Sequence, residues 1–548
     1  MSDLVLLSSV EYGSYISPVK LIVFLILFFA FLPLVPWVYW DARAVKARET
    51  FWAGLVFGAG AAAIIIWLVL PFFAVGMLLS LTAIGATIFS YVKHRDSKVK
   101  EFDRVLTVDY FKGIFVNEQK KLNVLKDLTF VGVDKTEFPV PQPKTTEFYG
   151  YKTVHDIFAD AIWRRASNVI FSPMQQNYNV TYYIDGTASQ QPAIAKDQAE
   201  YILRFVKKLA GLDINEKRKP QKGRLKTRKD EKYTDWEVVT AGSTTGEQIH
   251  LKQIMQQDIS KLTDIGLTPE QYEQLNRVCE IKQGVFLVSG SKKSGVTSTF
   301  YAMLKKHDPY LNTINTLERE ISEQLTNITQ NIFSLSDTGT TTYAKKLQSI
   351  IRMGADVIGV ADCRDAETAQ TVCNAARENK ILYVTLEADN VIQTLAGWIK
   401  LVGDKTAVAE TLIGISNQRL LRKLCTECRQ AYEPNKELLK KFNISAEKAK
   451  VLYRAPKEHV DKHGKPIICN SCQGTGFVGR MSIFETIIIN DELRTVIKQS
   501  KSLSEINTEF RRAKMFYLQE QALRKVIDGT TAVNEMVRVL STEKREKA

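Results

Sequence analysis

Four of the seven cysteines stand in two pairs, Cys425-x-x-Cys428 and Cys469-x-x-Cys472, with forty residues between the pairs. Each pair sets two thiolates on one turn, and two such turns close a tetrahedral Zn2+ site. A full set of four thiolates leaves no open position, so the site they predict is structural and not catalytic. The glycines of "CQGTGFVGR", which begins at Cys472, allow the sharp turns of such a knuckle. Two unrelated reduced pairs are the competing reading. Cys279, Cys363 and Cys373 lie in apolar or mixed surroundings, and seven cysteines are too few for a disulfide framework. The pattern belongs to metal ligation in a reducing compartment.

A second place for chemistry is "LVSGSKKSGVTSTFYAML", residues 287–304. Gly290 and Gly295 are five apart and Thr297 closes the pattern, as in the phosphate loop G-x-x-x-x-G-K-[ST]. The candidate nucleotide-binding residues are Gly290, Ser291, Ser294, Gly295, Val296, Thr297 and Ser298. In such a loop glycines let backbone N–H groups converge on phosphate oxygens at a helix N-terminus. The lysine reaches the β- and γ-phosphates, and the hydroxyl after it holds Mg2+. Thr297 keeps the hydroxyl, but the lysine place is Val296, which carries no charge. Lys292 and Lys293 lie inside the loop, and an inward swing of either would return a cation to it.

These residues need elements to hold them. "GVFLVSG", residues 284–290, is an apolar strand running into the loop, and "STFYAMLKK" is a helix leaving it. Two more apolar strands, "ADVIGVADCRD" and "ILYVTLEADN", follow the helical stretches "AKKLQSIIRMG" and "AETAQTVCNAAREN". Strands alternating with helices predict a parallel sheet covered on both faces, an α/β fold class. Upstream, "TVHDIFADAIWRRAS" and "QAEYILRFVKKLAG" have helical spacing, and "NVTYYIDG" alternates like a strand ending in a turn. The run 215–232 holds much of the net charge of +14. No aromatic residue interleaves with those charges, so a solvated loop or subunit contact is expected there and no nucleic-acid partner.

The N-terminal part is of another kind. Residues 21–40 and 51–92 are apolar runs without a charge. At about 20 residues per crossing, the first fits one helix and the second two, with Pro71 and Gly76 near the reversal. Neither run reads as a signal peptide. A buried helical hairpin in a soluble core is the competing reading. Arg43, Lys46 and Arg48 follow the first span, and Lys93, Arg95, Lys98 and Lys100 follow the third. Three spans put both basic segments on one side, and the positive-inside rule makes that side the cytoplasm, with the N-terminus external.

Five ordered motifs from about residue 151 onward resemble the ATPases of type II secretion and type IV pilus assembly. "RRASN" is similar to that family's "RRASD", and "LAGLDINEKRKPQKGR" looks like its segment joining N-terminal and ATPase domains. "ADVIGVADCRDAETAQ" resembles its Walker B region, D-x-x-x-x-G-E-x-R-D-x-E-T-A. "QRLLRKLCTEC" and "CNSCQGTGFVGRMSIFE" look like its tetracysteine module. The resemblance implies a hexameric two-domain motor with ATP between an N-terminal and a RecA-like domain. Outside the resemblance, hydropathy and composition set an anchor at 1–92 (spans about 21–40, 51–70 and 72–92) and an adaptor with a proline-rich linker at 93–150, the family's usual members being peripheral proteins. An N-terminal α/β domain at 151–255, a RecA-like domain at 271–424, a zinc module at 425–490 and a helical region at 491–548 follow.

The departures from that family's pattern gather at the nucleotide site. Besides Val296, the Walker B glutamate corresponds to Asp362, and the acidic box I-E-D-P appears as "LEREI", with Glu318 kept and Arg319 in the aspartate place. Asp362 and Glu318 are therefore the candidate catalytic acids. Glu387 replaces the histidine that senses the γ-phosphate, and Glu237 replaces an arginine that would face a neighbouring subunit's phosphates. Three of these changes make the site more negative, which weakens binding of an anionic nucleotide and of its transition state. One arginine contact of this kind is worth about 10³–10⁵ in rate. The expectation is a membrane-anchored, catalytically degenerate relative serving as scaffold or regulatory subunit, with ATP and Mg2+ use lost and structural Zn2+ kept. Its expected partners are inner-membrane secretion or pilus platform proteins and an active homologous ATPase, in a homo- or hetero-hexamer at the bacterial cytoplasmic membrane. The alternative is an active ATPase using Lys292 or Lys293 with Asp362.

Overall fold

A computed structural model describes residues 17–70, 72–99, 105–106, 125, 127–142, 146–254, 261–334, 342–445, 447, 449–456 and 468–541. Expectations for the N-terminal residues 1–16, most of 100–126 and the tail 542–548 lie outside the described residues. The chain divides into two compact units. The first comprises 1–156, 194–214 and 226–233, and the second comprises 157–193, 215–225 and 234–548.

In the first unit, α1 (Pro18–Phe31) and α2 (Leu34–Ala44) continue one another across a break at Leu32 and Pro33. They are followed by α3 (Glu49–Val69) and α4 (Phe73–Asp96). Pro18–Ala44, Glu49–Val69 and Phe73–Asp96 are each long and apolar enough to cross a membrane. A helix is the form in which such a run satisfies its own backbone. Gly60 lets α3 close on α1, since an added Cβ would stand 2.0 Å from the tip of Phe31. Both α2 and α4 run past the apolar stretch into polar residues, because Asp41 accepts from Tyr91 Oη at 2.6 Å and from Arg95 Nε at 2.9 Å. Those charges compensate each other in a half-buried place where either alone would be costly.

The rest of this unit is small. β1 (Leu128–Val131) pairs antiparallel with β2 (Glu137–Phe138) and with residues 226–229 of a later strand. Phe130, Tyr151 and Phe205 pack edge to face with ring centroids 5.5 to 5.6 Å apart. A helix over Thr146–Trp163 starts inside the stretch 138–148, which the alternate prolines read as extended.

Six strands come next, β3 (Ala166–Pro173), β4 (Asn177–Ile184), β5 (Thr187–Ala195), β6 (Gln221–Lys229), β7 (Lys232–Gly242) and β8 (Glu247–Ile254), of which the second unit holds all but the stretches 194–195, 226–229 and 232–233. β3 pairs antiparallel with β4 and β8, and β7 with β8. Asp185 and Gly186 both take positive φ, 48° and 82°, as a two-residue turn between strands demands. The charged run 215–232, expected as a loop, is largely strand. Leu225 and Thr227 are buried while Lys222, Arg224 and Lys226 are exposed, so an ordinary strand alternation lies beneath the charge.

The parallel sheet of the second unit uses β9 (Gly284–Gly290), β10 (Ile314–Glu318), β11 (Thr329–Ile332), β12 (Val357–Val360), β13 (Ile381–Glu387) and β14 (Leu412–Leu424). A separate pair, β15 (Gln430–Tyr432) and β16 (Leu452–Arg454), precedes its last strand, β17 (Phe477–Ile488). The order is β11-β10-β12-β13-β9-β14-β17, parallel throughout except for the antiparallel β14–β17 pair. Val285 and Leu287 pack on one face, with the helices Tyr343–Arg352, Ala366–Ala376 and Val391–Val402. Phe286 and Val288 pack on the other, with Pro269–Glu280 and Val296–Leu304. A strand buried on both faces is why "GVFLVSG" reads as unbroken apolar sequence. The fold is α/β with a parallel sheet, as the alternation of elements predicts.

Candidate functional site

The four cysteines come together. Cys425 leaves the end of β14, and Cys472 lies just ahead of β17, so the two long strands deliver both pairs to one spot. All four sulfurs lie within 4.8 Å of one another, with Cys425–Cys469 at 3.8 Å and Cys428–Cys472 at 3.6 Å. Sulfurs at about 2.3 Å from a tetrahedral Zn2+ would be about 3.8 Å apart, so the set fits the ion. Burial opposes the Cys425 thiolate, yet N–H groups of Glu427 and Cys428 bring its pKa down to about 7. Burial and the adjoining thiols push Cys428 up. A shared divalent cation removes that conflict between neighbours. The module is fastened from outside by Arg422, which pairs with the buried Glu535 at 2.7 Å and lies 4.0 Å over the Phe477 ring.

The phosphate-loop residues also take the expected strand–loop–helix shape. Gly295 has φ 88°, and at Gly290 an added Cβ would stand 2.2 Å from Ser294 Oγ and 2.8 Å from the Gln418 carbonyl. The second glycine is needed for its conformation and the first for room. Ser291 O accepts from Ser294 N–H at 3.1 Å, and Gln418 Nε2 donates to Ser294 O at 2.9 Å. Ser294 Oγ and Gln418 Oε1 are buried without a hydrogen-bond partner among the described residues. Thr297 and Ser298 are exposed at the start of the helix. Val296 packs instead against the apolar cluster of Phe286, Val288 and Phe300. Lys293, at φ 62°, holds its ammonium 4.9 Å over the Tyr183 ring on β4. Close by, burial and then Lys293 lower the pKa of His250 on β8.

The parallel strands bring the remaining candidates to the same edge. Glu387, ending β13, is paired in register with Gly290. Leu317 pairs with Val360, and Arg319 and Asp362 each stand two residues further along, which is why they meet. Arg319 Nε lies 3.6 Å from Asp362 Oδ2, and its guanidinium stacks 4.6 Å over Tyr343. Arg364 grips the same carboxylate, with Nη2 at 2.5 Å from Oδ2 and Nε at 2.8 Å from Oδ1. Asp362, at φ 57°, donates its N–H to Thr385 Oγ1 at 2.7 Å. Glu318 is buried within β10, accepting from Tyr301 Oη, from Thr316 Oγ1 at 2.6 Å and from Gln330 Nε2 at 3.2 Å. Glu237, on β7, is paired with Lys222 at 2.9 Å.

Sequence reasoning did not find Gln418 or Tyr183. A signal for the first existed: Ser416, Asn417, Gln418 and Arg419 are four successive polar residues in the middle of apolar β14, and all are buried. Asn417 Nδ2 donates to Ser289 Oγ and to Ala388 O, so this polar patch braces the strand beneath the loop. Tyr183 carried no local signal, because its partner lies more than a hundred positions away.

A sequence model described as type II/IV secretion system protein matches residues 148–538. Over 408 residues the chain is 29% identical to the type IV pilus assembly ATPase PilB of Thermus thermophilus, covering 74% of this chain and 44% of that one. Over 390 residues it is 27% identical to the type II secretion system ATPase E of Vibrio cholerae, covering 71% of this chain and 75% of that one. The chain thus spans less than half of the pilus protein's length. Among solved structures, the ATPase DotB of Legionella pneumophila aligns with a TM-score of 0.49 at 14% identity, over 72% of this chain and 97% of that one.

Proposed function

Because the chain belongs to the type II/IV secretion system protein family, we propose that it is a membrane-anchored subunit of a type II secretion or type IV pilus type machine. In this reading the three apolar helices hold it in a bacterial cytoplasmic membrane, with the main domains in the cytoplasm. Four thiolates bind structural Zn2+, and the nucleotide loop is a scaffold that has given up turnover. The subunit then works beside membrane platform proteins and an active homologous ATPase, in a homo- or hetero-hexamer. The observation that carries the degenerate reading is Val296, whose side chain joins the apolar cluster where a lysine would meet phosphate. The two guanidiniums on Asp362 support it, since a carboxylate so paired is a poor acceptor for a water proton.

Family membership and the relatives' names, both ATPases, favour a second reading in which the site is active. Exposed Lys292 would then supply the loop cation and Asp362 would activate water. ATP turnover by the full chain in lipid nanodiscs separates the two. Background rates that Thr297→Ala and Asp362→Ala leave unchanged support the scaffold. Turnover that either substitution abolishes establishes the motor.

A further inference from the structure

The two ends of the three apolar helices differ in charge, and the end where α2 meets α4 is the richer. There, residues 41–50 and 91–99 include the acids Asp41, Glu49 and Asp96. Two of these acids are taken up inside the fold. Asp41 accepts from Tyr91 and Arg95. Asp96 accepts from Arg95 Nη1 at 3.4 Å and from the N–H groups of Val105 and Leu106 at 3.0 and 2.8 Å. Glu49 is half-buried in the first turn of α3, where the helix N-terminus favours a carboxylate.

The cations are disposed the other way. Arg43, Lys46, Arg48, Lys93 and Lys98 are exposed, and none forms an ion pair among the described residues. The fold gathers them on one rim, because Asp41 and Arg95 join α2 to α4 at this level and Trp52 of α3 stacks on His94 of α4 at 5.0 Å. Trp40, 62% exposed, lies 5.7 Å from the Arg43 guanidinium, a pairing of ring and cation suited to headgroup depth. At the opposite end of the helices Lys20 is the only charge among the described residues. Five like charges whose neighbouring acids are withdrawn repel one another, and an anion from outside relieves them. The bilayer holds such anions at this depth, as the phosphodiesters of its acidic lipids.

We propose that this rim binds the headgroups of anionic phospholipids and keeps a ring of them around the cytoplasmic ends of the helices. The proposal rests on the membrane-anchored reading above and is independent of what the nucleotide loop does.

Electron spin resonance of the full chain in phosphatidylcholine bilayers tests it, with a trace of spin-labelled phosphatidylglycerol or of spin-labelled phosphatidylcholine. The expected result is a preference of about fivefold for restricting the anionic lipid, near the worth of one cation at an anionic surface. Arg43→Gln, Lys46→Gln and Arg48→Gln together should bring it to about twofold or less, whereas Lys20→Gln at the other end leaves it unchanged. Equal restriction of the two lipids overturns the proposal and leaves the anchor standing, as does a preference that the triple variant keeps or that Lys20→Gln lowers as much. A preference lost to inorganic phosphate, but not to chloride of the same ionic strength, assigns the rim to a free anion and also overturns it. Restriction of neither lipid overturns the anchored reading with it.

Discussion

At position 296 a partly buried methyl pair packs against the cluster that contains Phe286, Val288 and Phe300, and the chemistry of the loop turns on it. A lysine placed there has a long stem that can run out of the apolar cluster toward the loop's N–H groups. Val296→Lys is therefore expected to tighten ATP binding about tenfold and to leave turnover near background, because Asp362, Glu387 and Glu237 are unchanged. Isothermal titration and a phosphate-release assay on the same preparation check both halves. A second residue sets a pH limit. His307 is buried, with Nε2 2.7 Å from Tyr383 Oη, and burial lowers its pKa from 6.5 to about 4. The unfolded chain takes up a proton near pH 6.5 while the folded chain stays neutral, so stability is whole above 6.5 and falls as pH drops toward 4. The loss is about 3 kcal/mol at full effect. Urea midpoints across that window should fall in the wild type and fall less in His307→Gln. Single residues of this sort were legible unevenly. Gly290, Gly295, Val296 and the four cysteines declare themselves by spacing, whereas the meeting of Arg319 with Asp362 depends on strand register that no local pattern encodes.

The strand β14 is the element on which both sites depend. It carries Gln418, which clamps the loop, and leads at its end into Cys425, about 23 Å further on at the usual rise of a strand. Its antiparallel partner β17 returns from the other cysteine pair. Ligand loss should therefore be felt as local unfolding. Cys469→Ser is expected to lower bound zinc from one ion per chain to none and to expose the amides around Cys425 and Cys472 to rapid hydrogen exchange. Elemental analysis with exchange mass spectrometry reads both, and wild-type protein that carries no zinc after gentle purification would overturn the assignment. Strands such as β9 and β13 were legible because burial on both faces writes continuous apolar runs. β6 was not, because the long cations on its exposed face outnumber Leu225 and Thr227 beneath. The helix Thr146–Trp163 began earlier than expected because the last proline of the run, at 143, already precedes its first residue.

Three apolar helices and the basic residues beside them fix an expectation for the molecule as a whole. Cysteine introduced at Ser97 should react with a membrane-impermeant maleimide only from the cytoplasmic side, and one at Ser8 only from outside. Labelling of position 8 from the cytoplasm alone would remove the three-span arrangement. The sequence carried this layer plainly, since about twenty successive apolar residues without a charge match the thickness of a bilayer's hydrocarbon core. The helix ends at Ala44 and Asp96 were less plain, because they depend on Asp41 finding Tyr91 and Arg95. Under the proposed reading of a membrane-anchored, ring-forming subunit, the anchor also changes the arithmetic of assembly. A tethered chain searches for its neighbours in two dimensions at a fixed height, so the effective concentration of one copy around another is far above that of a freely diffusing protein. Contacts too weak to hold a ring together in solution can then suffice in a bilayer. The same copies should come apart when detergent dilutes them, and reassemble when the lipid is restored.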